Sequence, residues 1–202
     1  MTTIRYLLSI ARDETSDPAL RPLPGEVAEL LADIGAPPRL VAHLRAVHEV
    51  AAQLVEWVGA HCPGLAVDRD AVLFGAATHD VGKVVHPGEL SGPGAQHEEA
   101  GLELLLARGV APERARFARS HASWHAPGVG VDDLLVSLAD KVWKNKRVAD
   151  LEDLVVAELS RAAGRPLWEE FLALDELLTS VGEGADRRLA WQAAHPLRVP
   201  HG

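Results

Sequence analysis

Cysteine is almost missing from this chain, with Cys62 alone. A single thiol can close no disulfide within the chain, which suits a reducing compartment, and the expected location is cytoplasmic. Aromatic residues are scarce at 4%. Leu, Val and Ala must therefore build the core; Leu and Ala favour helix, and the aromatic and β-branched enrichment of sheet proteins is lacking. No apolar run reaches the roughly 18 residues of a membrane span, so no membrane partner is expected. The opening MTTIRYLLSIARDETSD has neither a basic start nor a small-residue cleavage site and does not read as a signal peptide. Positive charge is the minority: 20 Lys and Arg against 29 Asp and Glu leave a net charge of -9. Such a surface repels phosphate backbones, which argues against general nucleic-acid binding. A small anionic substrate stays possible, because a bound divalent metal inverts the local field.

What is present is helical periodicity. From Pro38 to Ala60, the residues Leu40, Leu44, Val47, Ala51, Leu54 and Val58 recur at three- and four-residue steps and form one apolar stripe. Pro63 and Gly64 stop that helix, and Asp68 is placed to cap a second, running to about His79. The second helix is apolar almost all round and is expected at the centre of the fold. Residues 81–96 hold four Gly and two Pro and read mostly as loop. Further helices are expected at about 97–107, 112–122, 132–146, 150–162 and 166–181, after short ones near 4–11 and 26–34. No stretch alternates with period two for long enough to make a strand. The expected architecture is all-α, a single compact bundle of about seven to nine helices. Residues 1–37 form an N-terminal extension, 38–147 the functional core, and 148–202 further helices packed on it.

Two carboxylates sit where carboxylates are costly. Asp80 follows His79 at the end of the apolar helix, and Asp140 lies within LLVSLADKVW. A buried ionised carboxylate needs a partner, and a bound cation is one. Lys141, Lys144 or Arg147 could instead pair with Asp140. His43 and His48 lie on opposite edges of the first apolar stripe, and helical geometry does not choose between them. His97 opens one helix and His121 closes another, with His125 close by; a histidine near a helix C-terminus can simply favour the dipole.

The order and spacing of these residues resemble the HD-domain metal-dependent phosphohydrolase superfamily. Its pattern of a His, an HD pair and a distant Asp falls here on His43, His79, Asp80 and Asp140. His43 is preferred over His48 because Val47 follows it by four residues, as in the family. HDVGK and HEEAGLELL are similar to motifs of the two-metal members, which implies His97 and His121 as the remaining ligands. No GYP motif is present, so the cyclic-di-GMP phosphodiesterase branch is not indicated. The resemblance implies two divalent transition-metal ions, drawn from Fe, Mn, Co, Ni or Zn, with Asp80 bridging them. It also implies hydrolysis of a small anionic phosphorylated substrate. Asp80 and Lys83 are the expected catalytic residues, and Lys83, Lys144 and Arg147 the substrate contacts. Two other functions fit the same ligands: a diiron oxygenase acting on a small polar substrate, and a metal-binding regulatory module without catalysis.

Overall fold

The computed structural model describes residues 3–13 and 15–198. Among them every regular element is helical. The chain opens with α1 (Thr3–Arg12) and α2 (Gly25–Asp33), followed by the long α3 (Pro38–His61) and by α4 (Arg69–Thr78). Asp68 caps α4 as its position suggests, its Oδ1 accepting from the Ala71 backbone N–H at 3.0 Å. Two 3-10 turns, Val81–Val84 and Pro87–Leu90, occupy the segment that reads as loop. Then come α5 (Gln96–Ala107), the four-residue α6 (Pro112–Ala115) and α7 (Phe117–Ser120), and α8 (Val131–Val142). The described chain closes with α9 (Ala149–Ala163), α10 (Leu167–Glu183) and α11 (Ala185–Ala193).

The eleven α-segments among the described residues exceed the expected seven to nine for two reasons. The stretch 112–122 breaks at Arg116 into two single turns, and the tail forms a full helix, α11. Helix α8 also ends earlier than its composition suggests. Asn145 turns left-handed at φ 56°, and Lys146 N–H donates back to Lys141 O at 3.1 Å. That closure reverses the chain and leaves Lys144, Lys146 and Arg147 beyond the helix.

The centre of the fold is shared differently from the expectation. Helix α3 buries more than the one apolar stripe expected of it. It packs against α1, α4, α8 and α11 and buries even Arg45, His48 and Glu49. The face that reads as polar is covered by the chain's N-terminal segment. Arg45, fully buried, donates to Ile10 O at 2.7 Å, to Arg21 O at 2.9 Å, and to Asp13 O and Leu20 O. A buried guanidinium is tolerable because backbone carbonyls take its protons.

Two apolar clusters flank α3. One joins Val50 and Leu54 to Leu138 of α8, Leu159 of α9 and Leu178 of α10. The other joins Leu40 and Leu44 to Leu7 of α1, Leu31 of α2, Phe74 of α4 and Leu105 of α5. Polar residues from α3, α4 and α8 meet between them.

Candidate metal centre

Six buried side chains from five segments converge in that interval: His43 of α3, His79 and Asp80 after α4, His97 of α5, His121 after α7, and Asp140 of α8. Each is placed by its helix. His79 and His121 follow the last turns of their helices, and their Nδ1 atoms lie 2.9 Å from the Ala76 and Ala118 carbonyls. A ring nitrogen spent on a carbonyl leaves Nε2 to face the centre. The His43 ring stands edge-on to Trp143, with centroids 4.9 Å apart, so the indole fixes its tilt.

Asp80 sits in the middle. Its Oδ2 lies 3.1 Å from His43 Nε2 and 3.6 Å from His79 Nε2. Its Oδ1 lies 3.0 Å from His97 Nε2 and 3.6 Å from His121 Nε2. Asp140 Oδ1 closes the first group at 3.4 Å from His79 Nε2 and 3.8 Å from His43 Nε2. Two triads of donors thus share one carboxylate: His43, His79 and Asp80, and Asp80, His97 and His121.

The triads fit a cation better than mutual hydrogen bonding. His97 Nε2 is buried and has no hydrogen-bond partner, although Asp80 Oδ1 is 3.0 Å away. His43 Nε2 and His79 Nε2 face each other at 3.3 Å. Lone pairs aimed at a common point are what a divalent ion requires, and the all-N/O donor set suits a transition metal. The electrostatics agree. Burial would raise the Asp80 pKa, but His79, His43 and His97 hold it well below the usual carboxylate range. Burial and then His79 push His121 down to about 4, so it is neutral and able to ligate at neutral pH. Burial likewise lowers His43.

Sequence reasoning overlooked Glu89. Its Oε2 lies 2.5 Å from His97 Nδ1, and its two oxygens accept from the His97 and Gln96 backbone N–H groups at 3.1 and 3.2 Å. One carboxylate therefore orients the His97 ring and satisfies the start of α5, whose N-cap residue, Ala95, supplies no side chain for it. The available signal was an acidic residue in a Gly/Pro-rich loop just before a helix with no capping side chain.

The other histidines stand apart. His48 is buried on α3 outside both triads. His125 is exposed and pairs with Asp150 at 3.1 Å. Lys83 Nζ lies 2.5 Å from Asp80 Oδ2, and Lys141 Nζ lies 2.6 Å from Asp140 Oδ2. A pocket of about 160 Å³ opens over the centre, lined by Arg39, Leu40, His43, Asp80, Lys83, Leu90, Lys144 and Gln192. Arg147 does not line it: Glu152, at 2.7 Å, and Asp175, at 2.8 Å, hold its Nη2.

A family model described as HD domain matches residues 40–165, which contain all six converging side chains. Neither the curated proteins nor the solved structures provide a match. No helix among the described residues is long and apolar enough to cross a membrane.

Proposed function

The chain belongs to the HD domain family, and on that premise we propose that it is a metal-dependent phosphohydrolase acting on a phosphate ester of a small metabolite or nucleotide. One observation carries the reading: the pocket that ends on His43 and Asp80 is ringed by Arg39, Lys83 and Lys144. Three cations around a pocket floored by metal-binding groups fit a phosphoryl group.

His43, His79, Asp80 and Asp140 would hold one divalent transition-metal ion. Asp80, His97 and His121 would hold a second, Asp80 being common to both groups. When bound, the pair lowers the pKa of water and offsets charge developing on phosphoryl oxygens. Lys83 stands beside Asp80 and lines the pocket, so its ammonium is placed to donate a charge-assisted hydrogen bond to a phosphoryl oxygen. Lys144 adds charge to the same pocket. Arg147, neutralised by Glu152 and Asp175, takes no part in that lining.

The test is to load the chain anaerobically with Mn(II) or Fe(II) and assay a panel of phosphorylated metabolites, following phosphate and oxygen together. Anaerobic phosphate release is expected. Substrate-dependent oxygen uptake without phosphate release would overturn the proposal in favour of oxidative chemistry on the same ligands.

A further inference from the structure

The family match stops at residue 165, but the pocket over the centre is completed from beyond it. Gln192, on α11, lines that pocket with His43, Asp80 and Lys83. Its position is fixed by the helix that carries His43. Arg39, one turn before His43 on α3, donates from Nε to His195 O at 2.9 Å and from Nη2 to Ala193 O at 3.1 Å. The Arg39 backbone N–H donates to Pro196 O at 3.1 Å. Three hydrogen bonds thus latch the residues that follow Gln192, and α11 itself lies against α3.

The chemistry of the lining separates Gln192 from its neighbours. Arg39, Lys83 and Lys144 are cations, His43 and Asp80 belong to the metal-binding set, and Leu40 and Leu90 are apolar. Gln192 is the neutral amide among them, with both a donor and an acceptor. A phosphate ester is mostly dianionic at neutral pH and gives the amide carbonyl no proton, although the amide N–H group can donate to phosphoryl oxygens as the cations do. The carbonyl oxygen finds a partner on the substrate only if the remainder offers a donor, and among three cations a neutral hydroxyl fits where an ammonium would be repelled. A site built to hydrogen-bond a hydroxyl rejects the analogue lacking it, because the amide is then left unpaired. The pocket, at about 160 Å³, is also below the roughly 300 Å³ at which ligand pockets usually begin. A phosphoryl group with a short remainder matches that volume.

We propose that Gln192 is a specificity residue that hydrogen-bonds a hydroxyl on the leaving group, so that the substrate is a phosphate monoester of a small polyhydroxy compound. This rests on the phosphohydrolase reading above.

The test uses three probes bound to the Mn-loaded chain and followed by calorimetry: inorganic phosphate, propylphosphonate and 2,3-dihydroxypropylphosphonate. The two phosphonates share a length and a stable C–P bond and differ only in hydroxyls. The wild type is expected to prefer the dihydroxy probe about tenfold. Gln192→Leu should bring that preference within about twofold, with inorganic phosphate affinity and metal content unchanged. Gln192→Glu should weaken inorganic phosphate at least about tenfold, because it turns a carboxylate toward the anion. An unchanged preference in Gln192→Leu, or unchanged phosphate affinity in Gln192→Glu, overturns the proposal while leaving hydrolysis standing. Failure of inorganic phosphate to bind the wild type overturns the phosphohydrolase reading, and this inference with it.

Discussion

Asp80 and Lys83 are neighbours in space but differ in what they can do. A carboxylate offers lone pairs to a metal; a protonated ammonium offers none. Lys83→Ala should therefore keep its metals and fold while kcat/KM for phosphate release falls about ten- to hundred-fold, the loss of one charge-assisted hydrogen bond of about 1.5–3 kcal/mol. Asp80→Ala should lose metal and activity together, so metal content measured beside kinetics separates the roles; unchanged kinetics in Lys83→Ala would make it a surface lysine. His43 and His48 differ just as sharply, although their helical angles alone could not rank them. His43→Ala should weaken metal binding strongly and His48→Ala hardly at all, and the reverse order would break the assignment of ligands. His48 has its own measurable effect. Burial, then Arg21 and Arg45, lower its pKa from 6.5 to about 4. Folding favours its neutral form, so its contribution is complete above pH 6.5. It fades as pH falls toward 4 and the unfolded chain takes up the proton first, by about 3 kcal/mol in all. Denaturant titrations of the wild type and His48→Gln across that window should diverge at the acid end; parallel curves would mean that His48 titrates normally.

The segment 81–101 carries the part of the centre that periodicity could not place. Gly82, within HDVGK, and Gly101, within HEEAG, meet backbone to backbone. A Cβ on Gly82 would stand 1.9 Å from His97 O and 2.5 Å from Gly101 N. That contact sets His97 beside Asp80, and a methyl group there must push α5 away. Gly82→Ala should lose the ion held by His97 and His121 while keeping the one on His43, His79 and Asp140, with about 1–3 kcal/mol of destabilisation. Metal content and denaturant unfolding measured on the same sample check both, and a full complement of metal would refute the account. The contrast shows what was readable. Helix α3, α4 with its Asp68 cap, and α8 follow from local pattern, because apolar spacing and capping are properties of the element itself. Glu89 on the His97 ring, the carbonyl cage around Arg45 and the docking of α11 on Arg39 are contacts between distant segments, and neighbouring residues do not encode them. The convergence of the six residues was legible only as an ordered pattern; no single histidine announced itself.

In the whole molecule, two triads sharing one carboxylate imply close to two divalent ions per chain after anaerobic loading. Elemental analysis should find about two. A value near zero under saturating Fe, Mn and Zn would remove the metal centre, and a value of one would remove its second half. Ions that bind only the folded chain stabilise it, by about 2.7 kcal/mol per site at a hundredfold excess over Kd. Chelation should therefore lower the melting temperature as well as abolish activity. The two halves are not equally supported. His43 and Asp140 stand on α3 and α8, and His79 and Asp80 directly follow α4; these three helices pack on one another. His97 depends instead on Glu89 and on the Gly82–Gly101 contact. Removal of metal should consequently run as two kinetic phases, the His97 half emptying first. Between them the chain would pass through a half-filled state, folded around one ion, so loss of catalysis and loss of structure should follow separate clocks.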